Sequence, residues 1–265
     1  MLEQLYKDLG YGNILHDVNG LPIPFDPKWT KIGVAVSGGA DSALLLHILC
    51  DIITKNSLEV DVHVISNIRG WKSKPWQRQN SIDVYNYIQT KFSNIRFHRH
   101  ENFVPPEFEW ADQGPTLTDE YGKRVSGDII ELRAFAEFVG HTEQLDAYYN
   151  AVTRNPKSTN FNNAMPTRDV DPSLETVRLM IMPHMNLIAC HPLRFVDKSW
   201  VASQYKNLNL FDLFNITRSC EGDNSVRPEV FFDLDYKTYK PGDPVPICGR
   251  CFWCRERAWA WHNAE

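Results

Sequence analysis

Four cysteines and one short glycine-rich string carry most of the chemistry legible in this chain of 265 residues. Cys248, Cys251 and Cys254 stand in overlapping C-x-x-C steps, with Cys220 well upstream. Two intervening residues let both sulfurs of a step face one ion, so four thiolates can close a tetrahedral site around zinc. Four sulfurs leave no open position, which makes such a metal structural. Gly249 suits the tight turn of this kind of knuckle. The same spacing also suits an iron-sulfur cluster, or free thiols. The glycine-rich string is Ser37-Gly38-Gly39-Ala40-Asp41-Ser42. A turn of this type points backbone N–H groups outward at the positive end of a helix dipole, and Ser37 and Ser42 add hydroxyl donors. That is a socket for phosphate or another anion; the plainer alternative is an ordinary turn with Asp41 and Ser42 as caps. The string lacks both the GK[ST] ending of a Walker loop and a G-x-G-x-x-G pattern. With no Lys to reach a γ-phosphate, it points to holding the part of ATP that leaves.

The elements around these residues define the fold class. Ile32, Val34 and Val36 form a β-branched run before the string, and Leu44, Leu45, Ile48 and Leu49 follow with helical spacing. This reads as strand, turn, helix. Val60, Val62, Val64 and Ile65 make a second strand, which implies a right-handed crossover and a parallel sheet. Ligands bind at the carboxyl ends of such strands, so Ser66, Asn67 and Ile68 fall beside the turn. A helix is expected from about Gln77 to Phe92, then a strand over NIRFHRH and another over MNLIACHPL, with Asp197 opening a further helix. A further apolar segment ends at Gly140, with His141, Thr142 and Asp146 following as a helix begins; Thr142 could equally be its N-cap and Asp146 a surface residue. Lys198 could face the site or keep a solvated head. The prolines of GLPIPFDPKW forbid regular structure in the preface. The expected fold is α/β, a Rossmann-like parallel sheet with helices on both faces. Residues 1–30 are its N-terminal extension, 31–215 its nucleotide-binding domain and 216–265 a small zinc-binding subdomain.

Composition narrows the class. Hydrophobic residues make up 43% of the chain, enough for a sizeable core. A net charge of -5 argues against a general polyanion binder. One basic and aromatic cluster, Arg69, Trp71, Lys72, Lys74, Trp76 and Arg78, has the interleaving of a nucleic-acid contact, but also of a solvated loop or small-anion site. The opening MLEQLYKDLG does not read as a secretory signal, and no apolar run reaches membrane-spanning length. The expected compartment is the cytoplasm, where cysteines stay reduced; Cys50 and Cys190 read as inert core thiols. The loop from Glu101 to Gly127 reads as a lid or a disordered segment, and NFNNAMPTRDVDPS as a second flap.

SGGADS resembles the SGGxDS loop of the pyrophosphate-loop ATP pyrophosphatases, which cleave ATP between its α- and β-phosphates and leave AMP on an acceptor. The resemblance implies an adenine nucleotide alpha hydrolase-like fold in which Ser37, Gly38, Gly39, Asp41 and Ser42 grip pyrophosphate with magnesium. It implies adenine beside Ser66 and Asn67. It also matches a G-H-x-x-x-x-D block, with His141 near the phosphates and Asp146 holding magnesium or a substrate amine, and a PL...K element that brings Lys198 to the phosphates. Adding Ser219, Cys220 and the CGxCxxCxxR run (Cys248, Gly249, Cys251, Cys254, Arg257), the chain resembles the 7-cyano-7-deazaguanine synthase family. That family converts 7-carboxy-7-deazaguanine to the nitrile with ATP and ammonia, on the route to queuosine and archaeosine. The resemblance implies a ligase with ATP, magnesium and structural zinc, and with Asp41, Ser42, Asp146 and Lys198 as catalytic residues. Its partners would be a deazapurine carboxylic acid and ammonia or another amine, with a homodimer or protein partner possible and membranes and nucleic acid not expected. A transfer-RNA-modifying enzyme and a non-enzymatic zinc module are the alternatives. The family's Arg-Asn step and Tyr-Pro-Asp-Cys block are missing, and residues 221–247 form an acidic insertion.

Overall fold

The computed structural model describes residues 15–68, 76–104, 117–118, 124–125, 127–154, 156, 180–182, 187–220, 247–249 and 251–264. The second flap, most of the basic cluster, most of the loop after Glu101 and nearly all of the acidic insertion lie outside them.

A six-stranded sheet forms the centre. Its strands are β3 (Lys31–Ala35), β4 (Asp61–Ile68), β5 (Arg96–Phe103), β8 (Ala147–Tyr149), β9 (Met180–Met182) and β10 (Leu187–Cys190), in the order β5-β4-β3-β8-β10-β9. β5, β4, β3, β8 and β10 run parallel and β9 runs antiparallel. Two short ribbons, β1–β2 (Leu15–Val18, Leu21–Pro24) and β6–β7 (Leu117–Thr118, Arg124–Val125), lie apart from it in pairing.

Side-chain alternation on the strands divides the core between two faces. Val62 and Val64 of β4, with Ile32 and Val34 of β3, meet helix α1 (Ala40–Lys55) on one face. Leu44, Leu45, Leu46 and Leu49 of α1 are fully buried, as is Cys50, whose thiol is pushed up by burial. A helix this apolar on every side must be covered all round. Helix α2 (Gln77–Lys91), α4 (Lys198–Asn207) and α5 (Phe211–Ile216) supply the cover with Val84, Ile88, Val201, Tyr205 and Leu213. On the opposite face helix α3 (Gly127–Glu143) packs Ala136 and Val139 on Ile65, Leu145, Tyr148 and Leu187. The chain steps from β3 outward through β4 to β5, then returns by α3 to β8 on the other side of β3. Strand order therefore reverses between β3 and β8, which opens a crevice at their carboxyl ends.

Two expectations are corrected. The preface is not irregular: β1 and β2 pair as a hairpin, and Leu21, Ile23 and Phe25 enter the main core. Its turn, Asn19-Gly20, takes positive φ at both residues, the preferred two-residue hairpin geometry. A two-stranded ribbon has free edges, so Pro22 and Pro24 break no ladder. Second, the apolar segment up to Gly140 is the body of α3, and the next element after His141 is the strand β8 rather than a helix. Gln144 at φ 56 and the bond from Leu145 N–H to Gly140 O, 3.0 Å, end α3 in a Schellman motif.

Candidate active site

The turn of residues 37–42 sits in the crevice. Gly38 adopts φ +76, and a Cβ there would stand 2.7 Å from Asn80 Cβ and 2.8 Å from Ser81 N. Glycine is required on both counts, because the turn is left-handed and pressed against α2. Ser37 N–H donates to Ser42 Oγ at 3.2 Å, and Ser42 Oγ–H donates to Gly39 O at 3.1 Å. Arg218 N–H donates to Gly38 O at 2.9 Å, and Asn80 Nδ2 donates to Ile216 O at 2.9 Å, so the 216–220 segment and α2 brace the turn together. Tyr205 Oη–H donates to Ala40 O at 2.7 Å from behind. The N-cap of α1, Gly39, provides no side-chain bond to the helix. The leading N–H groups of α1 can therefore take an anion.

Around the turn lies a cavity of about 280 Å³ lined by Ser37, Gly39, Asp41, Ser42, Asn67, Gln77, Asn150, Thr153, Lys198, Arg218, Ser219 and Trp253, with apolar walls from Val36, Ile65 and Leu132. Asp197 caps α4 by accepting from Ser199 N–H at 3.0 Å, and that helix start holds Lys198 in place. Lys198 Nζ is 3.1 Å from Asp41 Oδ2 and 3.5 Å from Glu256 Oε2, and Glu256 is fully buried. The ammonium also lies 5.5 Å from the Trp253 ring centroid, within cation–π range. Asp41 Oδ1 is buried and without a hydrogen-bond partner among the described residues. It is the oxygen that suits a magnesium ion arriving with a nucleotide. Asn67 Oδ1 accepts from Asn102 Nδ2 at 2.9 Å, while its own Nδ2 is buried and has no hydrogen-bond partner among the described residues, on a residue that lines the cavity.

The expected site residues separate into two groups. Ser37, Gly39, Asp41, Ser42, Asn67 and Lys198 share the cavity wall. Gly38 turns its face to α2 instead, and Ser66 Oγ–H is bonded to Val36 O at 2.8 Å, locking two strand ends together. His141 and Asp146 do not line this cavity. His141 is exposed in the last turn of α3, and Asp146 precedes β8 at the amino edge of the sheet. Asp146 Oδ2 accepts from Thr30 N–H at 2.8 Å and Lys31 N–H at 3.0 Å, so it caps the start of β3. At about 3.3 Å per residue, four residues put it about 13 Å from the strand's other end. The groups the sequence reading missed, Asn150, Thr153, Arg218 and Glu256, stand just past β8 or beside the cysteines. A polar residue directly after the apolar run AYY was the available signal for Asn150.

The four cysteines do converge. Cys220 and Cys248 sulfurs are 3.5 Å apart, Cys248 and Cys254 3.8 Å, Cys251 and Cys220 4.0 Å. Sulfurs at about 2.3 Å from one tetrahedral ion stand about 3.8 Å apart, so the cage fits a single metal ion. A cubane cluster gives each thiolate its own iron and needs a wider spread. Cys251 N–H donates to Cys248 Sγ at 3.2 Å and Cys254 N–H to Cys251 Sγ at 3.4 Å, which tempers the thiolate charge, and Gly249 turns the knuckle at φ +69. Neighbouring sulfurs and burial raise the Cys254 thiol well above its usual range when no ion is bound. Cys251 also caps helix α6 (Phe252–His262), which carries Glu256 to Lys198. Arg257 of α6 donates to Thr217 Oγ1 at 2.9 Å and Phe214 O at 2.7 Å, and Arg218 stacks on Trp76 at 4.0 Å.

No protein-family model matches the chain, and no curated protein matches it. Among solved structures, the U34-tRNA thiolase NcsA from Methanococcus maripaludis with its [4Fe-4S] cluster is similar at 15% identity and TM-score 0.45, covering 68% of this chain and 58% of its own. A 4-thiouridine synthetase in complex with RNA and ATP is similar at 12% identity and TM-score 0.46, covering 88% and 53%. The chain thus spans little more than half the length of either structure.

Proposed function

We propose that the chain activates a carboxylic acid with ATP and passes the acyl group to an amine, the acid being 7-carboxy-7-deazaguanine and the amine ammonia. A carboxylate oxygen attacks the α-phosphorus, the bond to the β-phosphate bridge breaks, and pyrophosphate leaves. The N–H groups at the start of α1, the hydroxyls of Ser37 and Ser42, and Lys198 hold the charge that grows on the leaving group. Lys198 is already positioned by Asp41 and Glu256, so little reorganisation accompanies that step. Magnesium bound with ATP would be met by Asp41 Oδ1 and would neutralise the phosphates. Ammonia then attacks the acyl carbon and AMP leaves with one carboxylate oxygen, giving the amide. Repeating the activation on the amide oxygen, with loss of a second AMP, yields the nitrile; a larger amine would stop at an amide. Zinc in the Cys220, Cys248, Cys251 and Cys254 cage has no part in the bond changes and anchors α6.

The observation that carries this reading is one convergence. The pyrophosphate-type turn, Lys198, and the residues flanking the cysteine cage (Arg218, Ser219, Trp253) all line a single cavity. The test is incubation with ATP, ammonia and 7-carboxy-7-deazaguanine, followed by mass spectrometry. The nitrile with AMP and pyrophosphate is expected. AMP release that requires transfer RNA, with no nitrile, would overturn it.

A further inference from the structure

We infer that His63, His100 and Glu143 form a second metal site, which takes a divalent transition ion of the zinc class through two imidazole nitrogens and a carboxylate. It lies on the α3 face of the sheet and is independent of the proposed reaction. The register places His63 opposite His98, and Ile65 opposite His100. His63 Nδ1 and His100 Nε2 are 3.0 Å apart, with ring planes within 13° and centroids 5.2 Å apart, an edge-to-edge pair. Ligand atoms of His63, His100 and Glu143 all lie within 4.8 Å of one another. Two nitrogens on a tetrahedral ion, each at about 2.0–2.1 Å, stand about 3.3 Å apart, so the pair opens by only a few tenths of an ångström.

Proton accounting fits. Each imidazole ring, when neutral, carries one proton; on binding an ion, the proton between the paired nitrogens passes to the far nitrogen of its own ring with none released, and His63 carries its proton on Nε2. That nitrogen is buried and has no hydrogen-bond partner among the described residues, on a ring that is 1% exposed.

A neighbouring set, Asp61, His63 and His98, is within the same reach, but its carboxylate already has a cation. Arg96 Nε lies 2.7 Å from Asp61 Oδ1, and His98 Nε2 lies 3.5 Å from Oδ2. Glu143 differs: its carboxylate has no ion-pair partner among the described residues, and Lys31 Nζ donates to its main-chain carbonyl at 3.0 Å instead. His98 stacks on His63 at 4.5 Å and buttresses the ring. Three protein ligands leave a fourth position for water. An ion here would fasten the end of α3 to β4 and β5.

The experiment is titration of the chain carrying a single equivalent of zinc, in the cysteine cage, with Co(II), read by absorption. A bound equivalent with visible ligand-field bands and no thiolate-to-cobalt charge transfer is expected, since no sulfur is involved. Glu143→Gln and His100→Asn should each weaken it by more than the about 10- to 100-fold that loss of an outer-shell partner costs. Both should keep the zinc of the cysteine cage, which reports that they fold. Absence of such an equivalent in the wild-type chain, or its undiminished binding in both variants, overturns the assignment.

Discussion

Lys198 shows why a motif residue has to be read with its surroundings. Its ammonium lies between Asp41 and the fully buried Glu256, and only the Asp41 contact could be foreseen from the turn and the PL...K element. Breaking a buried ion pair by removing one partner typically costs about 3–5 kcal/mol. Lys198→Met should lose that much in urea denaturation and also lose pyrophosphate release, while Lys198→Met with Glu256→Gln should recover part of the stability and none of the activity. Equal stability of the two variants would remove Glu256 from the account. His47 makes a second residue-scale case. It is buried against Phe92 with neither ring nitrogen hydrogen-bonded among the described residues, and burial lowers it to about 4. The unfolded chain binds the proton at about 6.5, so stability contributed by neutral His47 is full above that value and is lost as pH falls toward 4. The slope is at most about 1.4 kcal/mol per pH unit for one histidine. His47→Leu should flatten the acid limb of a stability-against-pH curve, and His63 shares the window, so some slope will persist.

Among the elements, the turn and α1 were legible because glycine, serine and β-branched residues obey local rules. Gly38 and Gly39 are nonetheless unequal. An Ala at Gly38 meets the backbone of α2 and a left-handed φ, whereas an Ala at Gly39 meets Ser37 Oγ at 3.4 Å and Arg218 O at 3.7 Å. Left-handed strain of about 1–2 kcal/mol and overpacking of about 1–3 kcal/mol add at Gly38. Thermal denaturation should therefore show Gly38→Ala strongly destabilised and Gly39→Ala close to wild type; the reverse order would mean the turn is built differently. The block around His141 was misread for a physical reason. The segment of residues 131–140 mixes apolar residues with Glu131, Arg133 and Glu137 and fits a strand or a helix, and only tertiary packing of Ala136 and Val139 on Ile65 and Tyr148 decides. Once α3 takes that run, Asp146 falls at the amino edge of the sheet and Asn150 takes its place at the crevice. The hairpin in the preface was legible in its Asn19-Gly20 turn, but the flanking prolines masked it.

Across the whole molecule the cysteine cage and the crevice form one connected system. Arg218 and Ser219 lie just before Cys220, and Glu256 lies just after Cys254, so the chain leaves the cage on both sides directly into the cavity wall or its ion pairs. Metal loading should therefore support the crevice as well as the C-terminal helix. Chelation or Cys251→Ser should lower the melting temperature and abolish AMP formation together, and restoring zinc after chelation should restore both; activity that survives complete metal loss would disconnect them. Among the described residues no helix is long and apolar enough to cross a membrane.

The central claim is that this crevice transfers AMP to a carboxylate oxygen. Turnover with 7-carboxy-7-deazaguanine labelled with oxygen-18 in its carboxylate tests it directly. The account predicts that label appears in AMP, with unlabelled pyrophosphate as the other ATP product. ADP and phosphate as products, or AMP free of label, would contradict it.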